Sequence, residues 1–201
     1  MTRARDLADL GDNTTKLEQQ GLVQVIASSV TKGASGSASV DSKGNVTFSG
    51  TESIALNSVF NSTYQNYLMV FNGTTSAAEL VNFRMRLGAT DATGANYQRA
   101  GAYRVTNEAI GGLGAINQTS AFMPVLTGTG TNKYFTVNIL NPFEAKPTII
   151  YGKGADCQAG ASFSMIDISA QHDLSNSYDG IILYPGSGTI TGTARVYGYN
   201  Q

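Results

Sequence analysis

The sequence predicts an all-β protein, an antiparallel jelly-roll-like β-sandwich preceded by a short N-terminal helical segment. Segments with strand character follow one another at intervals of roughly 8–20 residues, and Gly, Ser, Thr and Asn turns separate them. No helical pattern lies between these segments, so parallel βαβ units are not expected. Eight or more strands in two packed sheets is the arrangement of a jelly roll.

The clearest strand is VNFRMRLG, in which apolar and polar residues alternate with a period of two. One predicted face carries Phe83, Met85 and Leu87, and the polar residues between them form the other face. Further strands are predicted at 22–26, 45–49, 53–57, 67–71, 102–105, 121–126, 134–140, 147–151, 161–168, 180–184 and 188–199. The chain has no tryptophan, so aliphatic residues and phenylalanines are expected to fill the core, namely Phe48, Phe71, Phe83, Phe135 and Phe163.

Residues 3–20 carry the one convincing helical pattern, with Leu7, Leu10 and Leu17 at coiled-coil spacing. Ordering these residues costs about 1–2 kcal/mol each in backbone entropy. Burying three leucines returns only about 1.5–3 kcal/mol each. The segment is therefore expected to fold only against copies of itself or against a larger partner.

The chain is expected to divide into three parts. Residues 1–30 form an attachment segment, the Gly- and Ser-rich residues 31–41 form a flexible linker, and residues 42–201 form the displayed sandwich.

The overall composition excludes several classes of partner. The net charge is −1 and charged residues make up 13% of the chain, so neither nucleic acid nor an anionic membrane is an expected partner. The single cysteine, Cys157, permits no intrachain disulfide. The sequence has neither the long apolar run of a transmembrane helix nor the apolar region of a secretory signal.

The stretch IALNSVFNSTYQNYLMVFNGT, followed by VNFRMRLG, resembles the β-sandwich modules of tailed-bacteriophage structural proteins. The shared texture is an apolar strand, F-x-S-x-Y-x-N-Y, a second apolar strand, a loop and an alternating F-R-M-R-L strand. The ending GSGTITGTARVYGYN resembles the last strand of such modules, and ARDLADLGDN resembles a virion-attachment leader. The resemblance covers residues 3–12, about 52–104 and 186–200.

This resemblance implies a virion structural protein that is made in the host cytoplasm and needs no disulfide. Proteins of this family are tail fibres, receptor-binding tips or capsid decoration proteins, and they are commonly trimers. The leader would then bind other virion proteins of the tail, baseplate or capsid. Its candidate attachment residues are Arg3, Arg5, Asp6, Leu7, Leu10 and Leu17.

The segment AQHDLSNSYDG is predicted to be a polar loop between two strands, with a solvated histidine. If the module binds sugar, this loop offers suitable groups. Asp and Asn bond paired hydroxyls, and a Tyr ring covers the apolar side of a sugar. The candidate receptor contacts are His172, Asp173, Asn176, Tyr178 and Asp179.

No catalytic residue, metal or cofactor is assigned. His172 is the only histidine, and no G-x-S-x-G motif places a serine nucleophile. A calcium site from Asp167, Asp173 and Asp179 would lack the D-x-[DN]-x-[DN]-G spacing. The sequence leaves open whether two carboxylates form a glycoside-hydrolysing pair, because the distance between them decides that chemistry and a sequence does not give distances.

Three functional hypotheses follow. The first is a homotrimeric tail fibre or adhesin that is anchored by its N-terminus and contacts a host-surface glycan. The alternative is a capsid decoration or head-fibre protein that binds the shell and recognises nothing on a host. The third is a glycan-cleaving enzyme.

Overall fold

A computed structural model of the chain describes residues 21–106, 109–125, 132–157 and 163–200. These residues form sixteen strands: β1 Leu22–Val25, β2 Ser29–Lys32, β3 Ser37–Val40, β4 Val46–Thr51, β5 Ile54–Asn57, β6 Asn66–Thr75, β7 Val81–Leu87, β8 Thr90–Asp91, β9 Tyr97–Val105, β10 Ile110–Gln118, β11 Ala121–Phe122, β12 Asn132–Leu140, β13 Thr148–Cys157, β14 Phe163–His172, β15 Gly180–Pro185 and β16 Ile190–Tyr199. Outside the described residues lie the predicted helix at 3–20 and its candidate attachment residues, Arg3, Arg5, Asp6, Leu7, Leu10 and Leu17.

The strands form two antiparallel sheets, which confirms the predicted all-β sandwich. The larger sheet has ten strands in the order β10-β9-β14-β13-β12-β6-β16-β4-β3, with β1 also paired to β16. The smaller sheet has six strands in the order β11-β7-β15-β5-β2, with β8 paired to β7. Strand β16 is central, because it bonds to β6 on one side and to β4 and β1 on the other. In the described part of the chain, no helix is long and apolar enough to cross a membrane.

The core lies between the two sheets and is formed by alternate residues of their strands. In β6 and β12 the inward side chains are buried, and the rings of Phe71 and Phe135 stack with centroids 4.6 Å apart. Phe48 and Phe83 are also buried, as the sequence predicts. Phe163 is an exception, because it lies on the outer face of β14 and is 43% exposed.

The predicted faces of β7 are correct for Phe83 and Met85, which are buried. They are wrong at the end of the strand, where Arg86 is buried and Leu87 is 53% exposed. The reason is local, since the Arg86 guanidinium pairs with Asp91 across the β7–β8 hairpin and also bonds to the Ala89 carbonyl.

The boundaries expected for the attachment segment and the linker differ from the structure. Strand β1 belongs to the larger sheet, β2 pairs with β5, and β3 pairs with β4. Residues 31–41 therefore include sheet strands, although their Gly- and Ser-rich composition resembles that of a flexible linker. A backbone ladder needs no large side chains, and the sandwich consequently begins at β1 rather than at residue 42.

Candidate functional site

A cavity of about 340 Å³ lies at one end of the sandwich, between the β7–β8 hairpin and the loop 173–179. We call it the hairpin pocket. Polar and apolar side chains line it, principally Leu87, Asp91, Asn96, His172, Leu174, Asn176 and Tyr178. The cavity is within the size range of small-ligand sites, which is about 300–1,000 Å³.

A larger cavity, of about 420 Å³, lies along residues 61–65 beside Phe143 and Glu144. The hairpin pocket is the better candidate because its chemistry is more concentrated. Both cavities are lined by two amides, a carboxylate and a phenol, but the hairpin pocket adds an imidazole and two exposed leucines.

The β7–β8 hairpin forms one wall of the pocket. Gly88 occupies the turn with a φ of +59°, a conformation that glycine adopts without strain. Its N–H donates to Asp179 Oδ1 at 3.0 Å, which ties the hairpin to the loop 173–179. Asp179, predicted as a receptor contact, therefore holds the pocket wall in place and is not among the residues that line the cavity.

His172 lies on the floor of the pocket. It is the last residue of β14 and has the same inward orientation as Ile166, Ile168 and Ala170. Its ring meets Tyr97 edge-on with centroids 4.4 Å apart, and Tyr178 Oη lies 3.3 Å from its Nδ1. The histidine is 1% exposed, so the prediction of a solvated loop residue is wrong: β14 continues through this position and turns the ring inward.

The floor of the pocket is uncharged near neutral pH. Burial lowers the pKa of His172, although the nearby Asp173 carboxylate opposes this shift. Burial likewise raises the pKa of Tyr178. His172 is therefore a neutral imidazole and Tyr178 a neutral phenol, and the pair forms a buried, uncharged support beneath Asn176, which donates to Tyr178 Oη.

We expect the stability of the fold to decrease as the pH falls below the ordinary histidine pKa of 6.5. In this range the unfolded chain takes up a proton on His172 and the folded chain does not, so protonation favours unfolding. The loss ends once the pH passes the lowered pKa of the folded state. Thermal melts between about pH 7.5 and pH 5.5 measure this loss of stability. The range lies above the pKa of ordinary carboxylates, so their protonation contributes little. A His172→Gln variant should show a flatter dependence, and an unchanged slope in that variant would contradict the assignment.

Asn176 and Asp173 occupy different positions in the loop. Asn176 is exposed at the pocket and donates from Nδ2 to Tyr178 Oη at 3.3 Å. The backbone N–H of Asp173 donates to the Asn96 carbonyl at 3.0 Å, and the buried Asp173 Oδ1 has no hydrogen-bond partner among the described residues. Asp173 does not line the cavity.

Three of the five predicted contact residues thus line one pocket, namely His172, Asn176 and Tyr178. Sequence reasoning missed Asp91 and Asn96, which come from a hairpin and a loop about eighty residues earlier. Their strand and turn positions carry no local signal that they would face this loop.

The described residues do not gather a metal site. Among them, no three His, Cys, Asp or Glu side chains are arranged to hold an ion. Asp167 lies on the exposed outer face of β14 beside Lys153, and Asp179 accepts a hydrogen bond from the hairpin. The three aspartates considered for calcium, Asp167, Asp173 and Asp179, therefore do not form one site.

Comparison with known proteins identifies no family. No protein-family model matches the chain, and no curated protein matches it. The solved structures that are similar to the chain include two lectins, both at low TM-scores. Peanut lectin in complex with a 9-residue peptide has 13% identity and a TM-score of 0.32, covering 86% of this chain and 92% of the lectin. A seed lectin of Lotus tetragonolobus has 12% identity and a TM-score of 0.28, covering 87% and 95% respectively. Likenesses at these scores carry no argument about function.

Proposed function

We propose that this chain is a virion structural protein of a tailed bacteriophage, a tail fibre or adhesin anchored through its N-terminal segment. Its sandwich contacts a host-surface glycan at the hairpin pocket. The proposal assigns binding to the pocket and no reaction. The observation that supports contact with a glycan is the composition of the cavity, which Asn96, Asn176 and Asp91 line together with the apolar side chains Leu87 and Leu174.

These groups match the chemistry of a sugar. The side-chain amides of Asn96 and Asn176 each offer a donor and an acceptor, which paired hydroxyl groups require. Leu87 and Leu174 are 53% and 40% exposed, so they present apolar surface to the C–H face of a ring. The floor formed by His172 and Tyr178 is neutral, so it holds Asn176 in place through Tyr178 Oη without burying a charge beneath the ligand.

The position of Gly21, the first described residue, favours a second candidate function, capsid decoration. The chain enters the sandwich at Gly21, whose carbonyl accepts from Asn200 N–H at 2.9 Å beside the end of β16. The ladders of the larger sheet place this end of β16 at the same end of the sandwich as His172 on β14. Four strand spacings separate β16 from β14, or roughly 19 Å. If the leader is anchored in the particle, the hairpin pocket therefore faces the particle, and the pocket would bind shell subunits there.

Homotrimerisation through residues 1–20 is part of the proposal for either location. Leucines at coiled-coil spacing support association of the leader with its copies. The particle then presents several pockets together, and the avidity compensates for weak single contacts.

Binding to intact cells of the host tests the adhesin proposal. We expect Asn176→Ala and Asn96→Ala each to weaken binding about tenfold, because each removes about 1.4 kcal/mol of hydrogen bonding. The matched control is Asn72→Ala, which removes an exposed amide from β6 outside the pocket. Full-length chain is titrated onto cells and onto immobilised surface polysaccharide.

The outcomes separate the two functions. Binding to cells that the pocket variants weaken and the control does not supports the adhesin. Binding to empty capsid shells, weakened by the same variants and absent on cells, supports decoration. If the pocket variants bind like the unaltered chain in both assays, the hairpin pocket is not the contact surface.

A further inference from the structure

Strand β10 is an unusual sheet edge. It ends the order of the larger sheet, and β9 is its one strand partner among the described residues. It is nine residues long, whereas the opposite edge strand β3 has four. Its sequence, IGGLGAINQ, contains neither a charge nor a proline, two of the means by which proteins block edge pairing. A β-bulge between Ala115 and Gln118, with Asn117 at a φ of +54°, interrupts the ladder near the end of the strand, so the regular edge runs from Ile110 to Ala115.

The free edge presents backbone hydrogen-bonding groups outward. The Val105 N–H donates to the Ala109 carbonyl at 3.1 Å, so residue 109 points towards β9. Antiparallel ladders alternate, so the N–H and C=O groups of Ile110, Gly112 and Gly114 point away from β9. These groups can bond to another strand without disturbing the existing ladder.

Two side chains of the edge are strongly exposed although apolar. Ile110 is 70% exposed and Ile116 is 69% exposed. Exposed isoleucines on an uncharged edge favour contact with another apolar surface.

The glycines of the edge give a second, independent indication. A Cβ at Gly111 would collide with the Tyr103 ring at 2.3 Å, so packing within the chain explains that glycine. At Gly112 and Gly114 a Cβ would meet nothing closer than 4.0 Å and 3.8 Å respectively, and both residues have ordinary extended backbone. Glycine inside a strand weakens it and often marks a place where another backbone approaches closely.

We propose that β10 pairs antiparallel with β10 of a second copy of this chain, about a two-fold axis at Leu113. The sequence around this residue is nearly symmetric, I-G-G-L-G-A-I. Antiparallel pairing centred on Leu113 places Gly112 opposite Gly114 of the second copy, where the outward backbone groups meet. It also brings Ile110 of each chain beside Ile116 of the other.

The second copy fits this edge better than an unrelated strand does. A two-fold contact uses the same patch on both partners, and the near-symmetric segment places glycine opposite glycine and isoleucine opposite isoleucine across the axis. No charged side chain of β10 meets its own copy, so the pairing carries no like-charge contact between these strands. The contact uses β10 rather than residues 1–20 and is therefore independent of the proposed trimer.

Sedimentation of the full-length chain at several concentrations tests the pairing. We expect Ile110→Lys/Ile116→Lys to halve the number of chains per assembly, because like charges then face each other. A particle of two chains becomes one chain of 21.1 kDa, and a particle that also uses the leader changes from six chains to three. Ile110→Glu/Ile116→Glu should behave in the same way.

Mixing the two variants identifies the partner and the register. Lys of one chain then faces Glu of the other, and we expect the lost association to return. The matched control is Ile26→Lys/Tyr134→Lys, which charges two exposed residues, one after β1 and one on β12, that lie at least four strand spacings from β10. An unaltered chain that is monomeric or trimeric would overturn the proposal. So would an assembly that keeps its mass in the charged β10 variants, or variants that fail to associate when mixed.

Discussion

Replacing Phe83 with alanine is expected to lower the free energy of unfolding by about 3–5 kcal/mol, the cost of deleting a fully buried aromatic ring. Phe83 is 1% exposed, and its ring packs edge-on against Tyr97 at 6.2 Å. The alanine variant leaves a cavity between the two sheets, and the rigid strands around it cannot close that cavity fully. Urea unfolding of the purified chain measures the effect.

The matched control is Phe163→Ala, which removes the same ring from a site that is 43% exposed on the outer face. We expect a change within about 0.5–1 kcal/mol there. Equal effects at the two sites would mean that the sandwich core does not lie where these sheets place it.

Removing the Asp91 carboxylate is expected to cost about 3–5 kcal/mol, because Asp91→Ala leaves the buried Arg86 guanidinium without its ionic partner. The side chains of Arg86 and Asp91 are 8% and 25% exposed, so water cannot solvate the unpaired guanidinium of Arg86 well. The loss is concentrated at the β7–β8 hairpin, and ligand binding at the hairpin pocket should weaken together with stability. Denaturant unfolding and cell binding of the same variant measure both effects.

A second ion pair provides the comparison. Lys153 and Asp167 face each other 3.4 Å apart on the outer face, with side chains 81% and 64% exposed. Asp167→Ala should change stability by about 0–1 kcal/mol, as is usual for solvated pairs. The double variant Arg86→Met/Asp91→Leu should also be milder than Asp91→Ala, since it leaves no buried charge. If the double variant loses as much stability as Asp91→Ala, the loss comes from altered packing of the hairpin and not from an unpaired buried charge.

Much of the fold could be predicted because alternation is a local signal. The pattern around Phe83 identifies β7, and the runs around Phe71 and Phe135 identify β6 and β12. Strand β10 could not be found in this way, because its glycines carry no side-chain periodicity. Strand β3, whose sequence is SASV, could not be found for a similar reason: its small side chains give little alternation, and its backbone partners in β4 determine its position.

The site was harder to predict than the fold. The loop 173–179 was identified from its residue types, but the burial of His172 was missed. A signal existed, since His172 continues the inward alternation of Ile166, Ile168 and Ala170. The opposite wall of the pocket depends on a tertiary contact between Gly88 and Asp179, residues far apart in the chain, and no local pattern reports such a contact.

The central position of β16 has a consequence for synthesis of the protein. A ribosome makes this strand after all the other strands of the sandwich, yet β16 bonds to β6, β4 and β1 at once. Until β16 emerges, β6 exposes an unpaired edge, and β1 has no strand to pair with. Contacts between such distant segments make folding slow. The sandwich should therefore close only once β16 has left the ribosome, and the nascent chain is most vulnerable to aggregation just before that point.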